Sequence, residues 1–415
     1  MATTPYLKLQ KPPFDTIPWD EAINGNMDTL DAYISRFISI PNYVGGWGNS
    51  VSYIAGQNVL DASNSQIYQC QVSHTSSASP VTFTQDRATY PTYWVQTTNV
   101  VTVQSTGDVG RNLIHNAMFN IYQRGVGPFT TGGYNLDQWE AIANTDTFSV
   151  TRTVLTDSDR TGIGDEQASG CLGIAFAGTS GAGAYTIVLQ QIENVRRLAG
   201  KTVTVSFWAA TSEPTGHKLG VNPNQFFGTG GSPSGSVGIP GQSVTLSQLW
   251  TRYSLVFTLP SVNGKTLGSN GDSTTLLYFW CSAGSASAAQ SGNVGVQTGN
   301  IFLWGVQLEI GSVMSPLEKL DIADDLAKCQ RYFQVGSGAL STYTGAQVAN
   351  YLFTVPLQVT MRAAPSAVIT PSGGGSFSSV TGYTTSPWSI SMQAVSTTAS
   401  QTMGFNYTFT ASAEI

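Results

Sequence analysis

Charge is the scarcest property of this sequence. Of 415 residues, 18 are Lys or Arg and 24 are Asp or Glu, 10% in all, against roughly 25% in ordinary soluble domains. The formal balance is −6. A nucleic-acid binder needs a basic footprint to displace counterions, so nucleic acid is excluded as an expected partner. Glu and Lys are also too few for a coiled coil. Cysteine is sparse: Cys70, Cys171, Cys281 and Cys329 stand far apart, with no CxxC pair and no zinc-type spacing. Buried free thiols are therefore expected. No run of 18 apolar residues occurs, so no membrane-spanning helix is expected. The opening residues MATTPYLKLQKPPFD lack the apolar core of a secretory signal. These features together point to synthesis in a reducing cytoplasm.

What is present is aromatic, hydroxyl-rich and glycine-rich. Aromatics make up 11% of the chain and glycine contributes 44 residues. Disordered chains are poor in aromatics and rich in net charge, the reverse of this composition. The length suits two to four domains. The composition predicts a mainly β chain that stays soluble through hydroxyls and amides.

Residues 1–41 carry the only clear helical beginning. Pro18 suits a first helical turn, and Asp20 and Glu21 complement its dipole. Trp19, Ile23, Met27, Leu30, Ile34 and Phe37 follow at spacings close to a heptad seam. Asn24, Gly25 and Asn26 weaken this helix, so it needs a partner. The partner is a neighbouring domain, symmetry-related copies of the chain, or a larger body. Residues 42–98 alternate apolar and polar residues between Gly and Asn turns, which predicts strands over 51–54, 57–60, 66–72 and 93–96. Residues 99–111 are a linker. In residues 112–320, strands are predicted at 148–155, 172–177, 184–191, 202–209, 251–259, 275–281 and 300–309, the pattern of a β-sandwich. A long loop, almost structureless by composition, is expected from about 212 to 242. Residues 321–415 begin with a short helical patch around Asp324 and Asp325. Strands follow at 348–359, 366–370, 389–395 and 402–411. These form a C-terminal β domain whose small core would be completed by symmetry mates.

Three stretches resemble known families. Trp47, then Tyr53-Ile54-Ala55-Gly56-Gln57-Asn58-Val59, Tyr68-Gln69-Cys70 and Trp94 are similar to the small chitin- and cellulose-binding modules. Gln57 stands where that family has Asp. Val72-Ser73-His74 stands where its sugar-gripping aromatics lie, which favours a connector role. Asn112-Leu113-Ile114-His115-Asn116-Ala117-Met118-Phe119, Tyr122-Gln123-Arg124-Gly125 and Leu136-Asp137-Gln138-Trp139 resemble the opening of jelly-roll domains in tailed-phage fibres and related carbohydrate-binding modules. Leu303-Trp304-Gly305-Val306-Gln307-Leu308-Glu309 and Cys329-Gln330-Arg331-Tyr332-Phe333-Gln334 resemble their end. Ile23 to Asp31 resembles the virion-attachment helix of such fibres.

This resemblance implies a virion fibre or spike protein, made in the host cytoplasm. Its N-terminus would attach to capsid or tail proteins of the particle. Its body would be a homo-oligomer, by analogy a trimer, adhering to host-surface polysaccharide. A purely structural head or tail decoration fibre is the alternative, and a capsule depolymerase is a third. The resemblance also implies a possible structural calcium, with Glu309 as candidate ligand; no other cofactor is expected.

Catalytic chemistry finds little support in the residues. Glycoside hydrolysis needs two facing carboxylates, and acidic residues here are few, with Glu193 and Glu309 on strand ends. His74, His115 and His217 have no ligand-like spacing and are expected in turns or at the surface. No G-x-S-x-G elbow occurs. The chain is therefore expected not to be an enzyme. Sugar contact needs flat rings over C–H faces and amides or hydroxyls at the rim. The candidates are Tyr134, Phe226 and Phe227 in the sandwich, and Tyr383 and Trp388 towards the C-terminus. Trp139, Trp208, Trp280 and Trp304 lie in strand-like runs and are expected in the core.

Overall fold

The structure is a computed structural model that describes residues 43–61, 66–96, 110–214, 216–343, 345, 349–372, 377–397 and 402–415. The predicted helix carrying Trp19, Ile23, Met27, Leu30 and Ile34 lies outside the described residues, as does most of the predicted linker. The chain divides into two compact units, residues 1–108 and 109–415. The described chain is mainly β, and none of its helices is long and apolar enough to cross a membrane.

In the first unit, strands β1 (Tyr43–Gly46), β3 (Asn58–Asp61), β4 (Gln66–Cys70) and β6 (Trp94–Gln96) form one sheet in the order β1-β3-β4-β6. A two-stranded ribbon pairs β2 (Ser52–Tyr53) with β5 (His74–Thr75). Tyr53, Val59, Tyr68, Cys70, Phe83 and Trp94 form the core. The sequence reading missed a helix, Phe83–Thr89. Its start is a capping box: the Thr82 hydroxyl accepts from the Gln85 N–H, and the Gln85 side chain accepts from the Thr82 N–H. The helix buries Asp86, whose carboxylate accepts from the Ser77 N–H (2.8 Å) and the Trp94 indole N–H (3.2 Å). A buried carboxylate is tolerable because both oxygens have donors.

The second unit is built on an antiparallel sandwich whose chain passes repeatedly between two sheets, as in a jelly roll. Its strands are β7 (Gly133–Tyr134), β8 (Glu140–Asn144), β9 (Thr147–Val154), β10 (Gly170–Ala177), β11 (Tyr185–Glu193), β12 (Thr202–Thr211), β13 (Lys218–Phe226), β14 (Val237–Gly238), β15 (Gln242–Thr245), β16 (Thr251–Thr258), β17 (Thr274–Ala283) and β18 (Thr298–Ile310). One sheet runs β16-β12-β18-β10-β9. The other runs β14-β13-β17-β11-β8-β7, with β15 also paired to β13. All seven predicted strands of the sandwich are present. The expected structureless loop at 212–242 is not: it contains β13, which pairs with β17 from Gly220 to Phe226.

Period-two alternation supplies the core. Val188 and Ile192 of β11, Leu277, Phe279 and Cys281 of β17, and Leu219 and Val221 of β13 point inward. They meet Leu172 and Ile174 of β10, Val203, Val205 and Phe207 of β12, and Leu303 and Leu308 of β18. Each such side chain contributes about 1.5–3 kcal/mol by leaving water. The β12–β18 register shifts between Ser206 and Trp208. At that shift Gly305 adopts φ +60°, and a Cβ there would lie 2.9 Å from the Trp208 ring. The extra residue lets Leu303 and Val306, three apart, both enter the core, while Trp304 pairs with Trp208 and is fully buried against it at 5.3 Å.

The helix Ile322–Gln330, capped by Asp321, begins where the helical patch was predicted. After it, β19 (Phe333–Tyr343), β20 (Asn350–Pro356), β21 (Ser366–Ser372), β22 (Phe377–Ser386), β23 (Ser389–Ser396) and β24 (Thr402–Ser412) form two three-stranded sheets, β19-β24-β21 and β20-β23-β22. Met361, Ile390, Met392, Phe405, Tyr407 and Phe409 lie between them. Strands β19 and β22 were not predicted. This region is joined to the sandwich by polar fasteners. Asp325 accepts from the Asn116 N–H, Arg331 donates to both oxygens of Glu193, and Arg124 pairs with Glu414 at 2.7 Å.

Candidate functional site

The seven-stranded sheet has an outer face, and that face is unusually apolar. Reading across β8, β11, β17 and β13, the register gives Ile142–Ile187–Trp280–Gly220. The next row is Glu140–Leu189–Tyr278–Asn222, followed by Gln191–Leu276–Asn224. These side chains point away from the sandwich core, because Val188, Leu277, Phe279 and Val221 between them point into it. Ile187, Leu189 and Trp280 with half-buried Ile142, Tyr185, Leu276 and Tyr278 form a hydrophobic cluster of their own. Tyr185 stands edge-on to Trp280 at 5.9 Å, and Tyr278 lies 6.0 Å from it.

Amides and one carboxylate rim this aromatic strip. The Trp280 indole N–H donates to Asn222 Oδ1 at 2.6 Å, which fixes both side chains. Asn224 Oδ1 is buried with no hydrogen-bond partner. Glu140 is half-buried, and desolvation raises its pKa. Desolvation, then the nearby Glu140 charge, raises the pKa of Tyr278, so its hydroxyl stays protonated and able to donate. At one end the segment 284–294 closes over the sheet: Ser291 O comes so near Gly220 that a Cβ would meet it at 2.1 Å, and Val294 packs into the cluster. Towards the other end Gln191 Nε2 donates to the Tyr134 hydroxyl (3.2 Å) and to Ile415 O (3.1 Å). The result is a strip of rings and aliphatic groups, walled at one end and edged by Asn222, Asn224, Gln191 and Glu140. Its half-buried members, Tyr185, Tyr278, Leu276 and Ile142, can cover a sugar's C–H face, with amides at the rim to pair hydroxyls.

The residues singled out in the sequence fall in different places. Tyr134 is half-buried beside this strip, its hydroxyl held by Gln191 and Ile415, with Arg124 5.6 Å from its ring. Phe226 is half-buried at the end of β13, one row beyond Asn224. Phe227 corrects the expectation of a sugar contact: it is 0% exposed, packed with Val195 and Val262 in a small core. Tyr383 and Trp388 are 57% and 64% exposed. They belong to the C-terminal sheets and are not part of the strip. Trp139 and Trp304 are interior, as expected. Trp280 is buried on the outer face instead of between the sheets.

Other expectations also change. His217 is buried, bonded to Thr211 and to Thr298 O. His115 is half-buried, and desolvation followed by the nearby Lys328 charge pushes its pKa down to about 4. Glu193 and Glu309 lie on different sheets, and each is already engaged. Glu309 is fully buried and accepts from the Ser315 N–H (2.9 Å) and hydroxyl (2.6 Å) and from Gln307, with Arg111 at 3.4 Å. A carboxylate ringed by donors and a guanidinium does not fit a calcium ligand, which needs free oxygens. Among the described residues no group of three or more His, Cys, Asp or Glu could hold a metal. In the first unit Trp47, Tyr53, Tyr68 and Trp94 pack in or against the core. A Tyr90–Tyr93 stack at 4.9 Å, missed in the sequence, flanks His74. All four cysteines are free and buried, as expected.

A scan against protein-family models finds no match, and a search of curated proteins finds none. Among solved structures, the enzymatically active domain of tailspike protein 4 from bacteriophage CBA120 is 16% identical with a TM-score of 0.27; the alignment covers 48% of this chain and 22% of that one. The CBM22-2 xylan-binding domain of Paenibacillus barcinonensis Xyn10C is 17% identical with a TM-score of 0.27, over 45% of this chain and 100% of that one. The family 11 carbohydrate-binding module of Clostridium thermocellum, solved with a mixed-linked tetrasaccharide, is 11% identical with a TM-score of 0.28, over 46% and 99%.

Proposed function

We propose that this chain is a fibre or spike protein of a tailed phage or phage-like particle, and that its sandwich binds host-surface saccharides on the outer face of the seven-stranded sheet. The observation that carries the binding part is the strip of Tyr185, Tyr278, Leu276 and Ile142, half-buried and edged by Asn222, Asn224, Gln191 and Glu140. A solvent-facing sheet surface usually alternates to polar residues. An apolar one with amide edges is suited to a ligand that is itself apolar on its faces and polar at its rim.

The test is binding of host polysaccharide and of an arrayed glycan set to the whole chain and to Tyr278→Ala. Stacking of one ring contributes about 0.5–1.5 kcal/mol, so affinity should fall roughly three- to tenfold with the fold intact. Absence of binding by the unaltered chain sinks the adhesive reading. On this reading the chain holds saccharide without cleaving it, so release of reducing ends would replace adhesion with depolymerisation.

Two features support self-association. Tyr343, Leu352, Val368, Tyr383 and Trp388 of the C-terminal sheets are all more than half exposed. A groove of about 400 Å³ lined by Val335, Val368 and Phe409 runs along β19, β24 and β21. Weak single sites would then act together through avidity. Native mass spectrometry should give a homo-oligomer, a trimer by the resemblance to fibres; a monomer at micromolar concentration would count against it. Residues 1–41 would make the attachment to capsid or tail proteins. Particles assembled with a chain lacking them should not carry it. If they do, attachment lies elsewhere, and the purely structural decoration reading must be weighed on the remaining surfaces.

A further inference from the structure

A second cavity, of about 280 Å³, lies where the sandwich meets the helix Ile322–Gln330. Asn112, His115, Gln191, Glu193, Arg197, Lys328, Arg331 and Tyr332 supply its polar lining. In a chain with so few charges, three cations converging on one cavity is a strong local bias. One is paired: Arg331 donates to both Glu193 oxygens, at 3.2 and 3.1 Å. Arg362 also approaches Glu193, at 3.9 Å. Arg197 and Lys328 have no carboxylate within 4 Å among the described residues. His115 adds no charge to this lining, because its pKa is pushed far below neutrality by desolvation and by Lys328, Arg197 and Arg331.

We propose that this cavity receives the carboxylate of an acidic saccharide, held by Lys328 and Arg197. The inference rests on the proposed function for the saccharide part of the ligand. Gln191 and Glu193 are outward-facing on β11, and Gln191 belongs to the row next to Tyr278. The cavity thus continues the strip along the strand, and a chain lying on Tyr278 meets the cations beyond it. The volume exceeds what a lone carboxylate fills. Ammonium and guanidinium groups form charge-assisted hydrogen bonds to carboxylate.

Three probes separate the possibilities: glucuronate, glucose, which lacks the charge, and acetate, which lacks the sugar. Methyl signals of Leu113 and Ile192, which line the cavity, report occupancy in the full chain. Glucuronate should shift them and bind at least about tenfold tighter than either control. The Lys328→Gln and Arg197→Gln variants should each weaken glucuronate several-fold, with glucose unchanged. Raising ionic strength from about 0.05 to 0.5 M should erode the preference. Glucuronate binding no tighter than glucose, no tighter than acetate, or unaffected by both variants overturns the proposal. Tyr278→Ala distinguishes the two readings. If the unaltered chain binds no polysaccharide but glucuronate still depends on Lys328, the strip fails and the cavity stands. If polysaccharide binding depends on Tyr278 and is indifferent to Lys328 and to acidic sugars, the cavity fails and the strip stands.

Discussion

Glu414 should make this protein lose stability as pH rises, the opposite of an ordinary ion pair. Its carboxylate lies 2.7 Å from Arg124, with Gln138 donating at 3.2 Å, and both charged side chains are largely buried. Desolvation outweighs the arginine and pushes the carboxyl up to about 7 from an ordinary value near 4.5. Between those two values the folded chain holds a proton that the unfolded chain has released. Folding is therefore favoured at low pH, and the benefit disappears as pH passes through 7. The gap between those two values corresponds to about 3 kcal/mol. Replacing Glu414 by Gln keeps an acceptor for Arg124 and removes the titration. Urea unfolding followed by tryptophan fluorescence, at intervals from pH 4.5 to 8, measures both proteins. The unaltered chain should fall by about 3 kcal/mol more than Glu414→Gln across that range. The signature is the difference in slope, since the substitution can also add a constant offset. Parallel curves would refute the reasoning. So would a curve in which the unaltered chain gains on the variant as pH rises, because that is what a carboxyl held below 4.5 by Arg124 would produce.

Other expectations follow from the core. Gly305→Ala places a methyl 2.9 Å from the Trp208 ring at a φ of +60°, and should cost about 1–3 kcal/mol in urea unfolding; an unchanged midpoint would show that the bulge yields easily. Phe227→Ala should cost about 3–5 kcal/mol while leaving saccharide affinity unchanged, and a selective loss of binding would restore Phe227 as a contact. Burial pushes the thiols of Cys171 and Cys281 up to about 12. All four thiols should resist a thiol-reactive dye at pH 8 until the chain is unfolded, and rapid labelling of the native protein would contradict their burial.

The strands of the sandwich were legible because Val, Ile, Thr and aromatic residues fill them between Gly and Ser turns. Strand β13 was not, for identifiable reasons. Its residues Gly220, Asn222, Pro223 and Asn224 are poor strand formers. Pro223 is tolerated because it pairs with Leu277 on one side and falls between the stretches paired to β14 and β15 on the other. No ladder donor is required of it there. The helix Phe83–Thr89 carried a readable signal, Thr82 followed three residues later by Gln85, that the alternating pattern around it obscured. The apolar strip was hidden differently. In β17, Leu276, Leu277, Tyr278, Phe279 and Trp280 are apolar on both faces, and a continuous apolar run reads as a strand covered on both sides. Periodicity cannot say that one of those faces is partly open. The exposure of Tyr383 and Trp388 was legible because they sit in polar surroundings.

The shortage of charge takes on a more specific meaning once the ion pairs are placed. Within residues 109–415, Arg111–Glu309, Arg124–Glu414, Arg331–Glu193 and Lys319–Asp165 each join parts of the chain far apart in sequence. Several of these side chains are largely buried, where an ion pair must be well hydrogen-bonded to offset desolvation. These four pairs act as fasteners between the sandwich and the segments before and after it. What sets Lys328 and Arg197 apart from the other cations is their convergence with Arg331 on one cavity. Among the described residues no carboxylate lies within 4 Å of Lys328 or Arg197, so their positive ends can meet an anionic group entering that cavity.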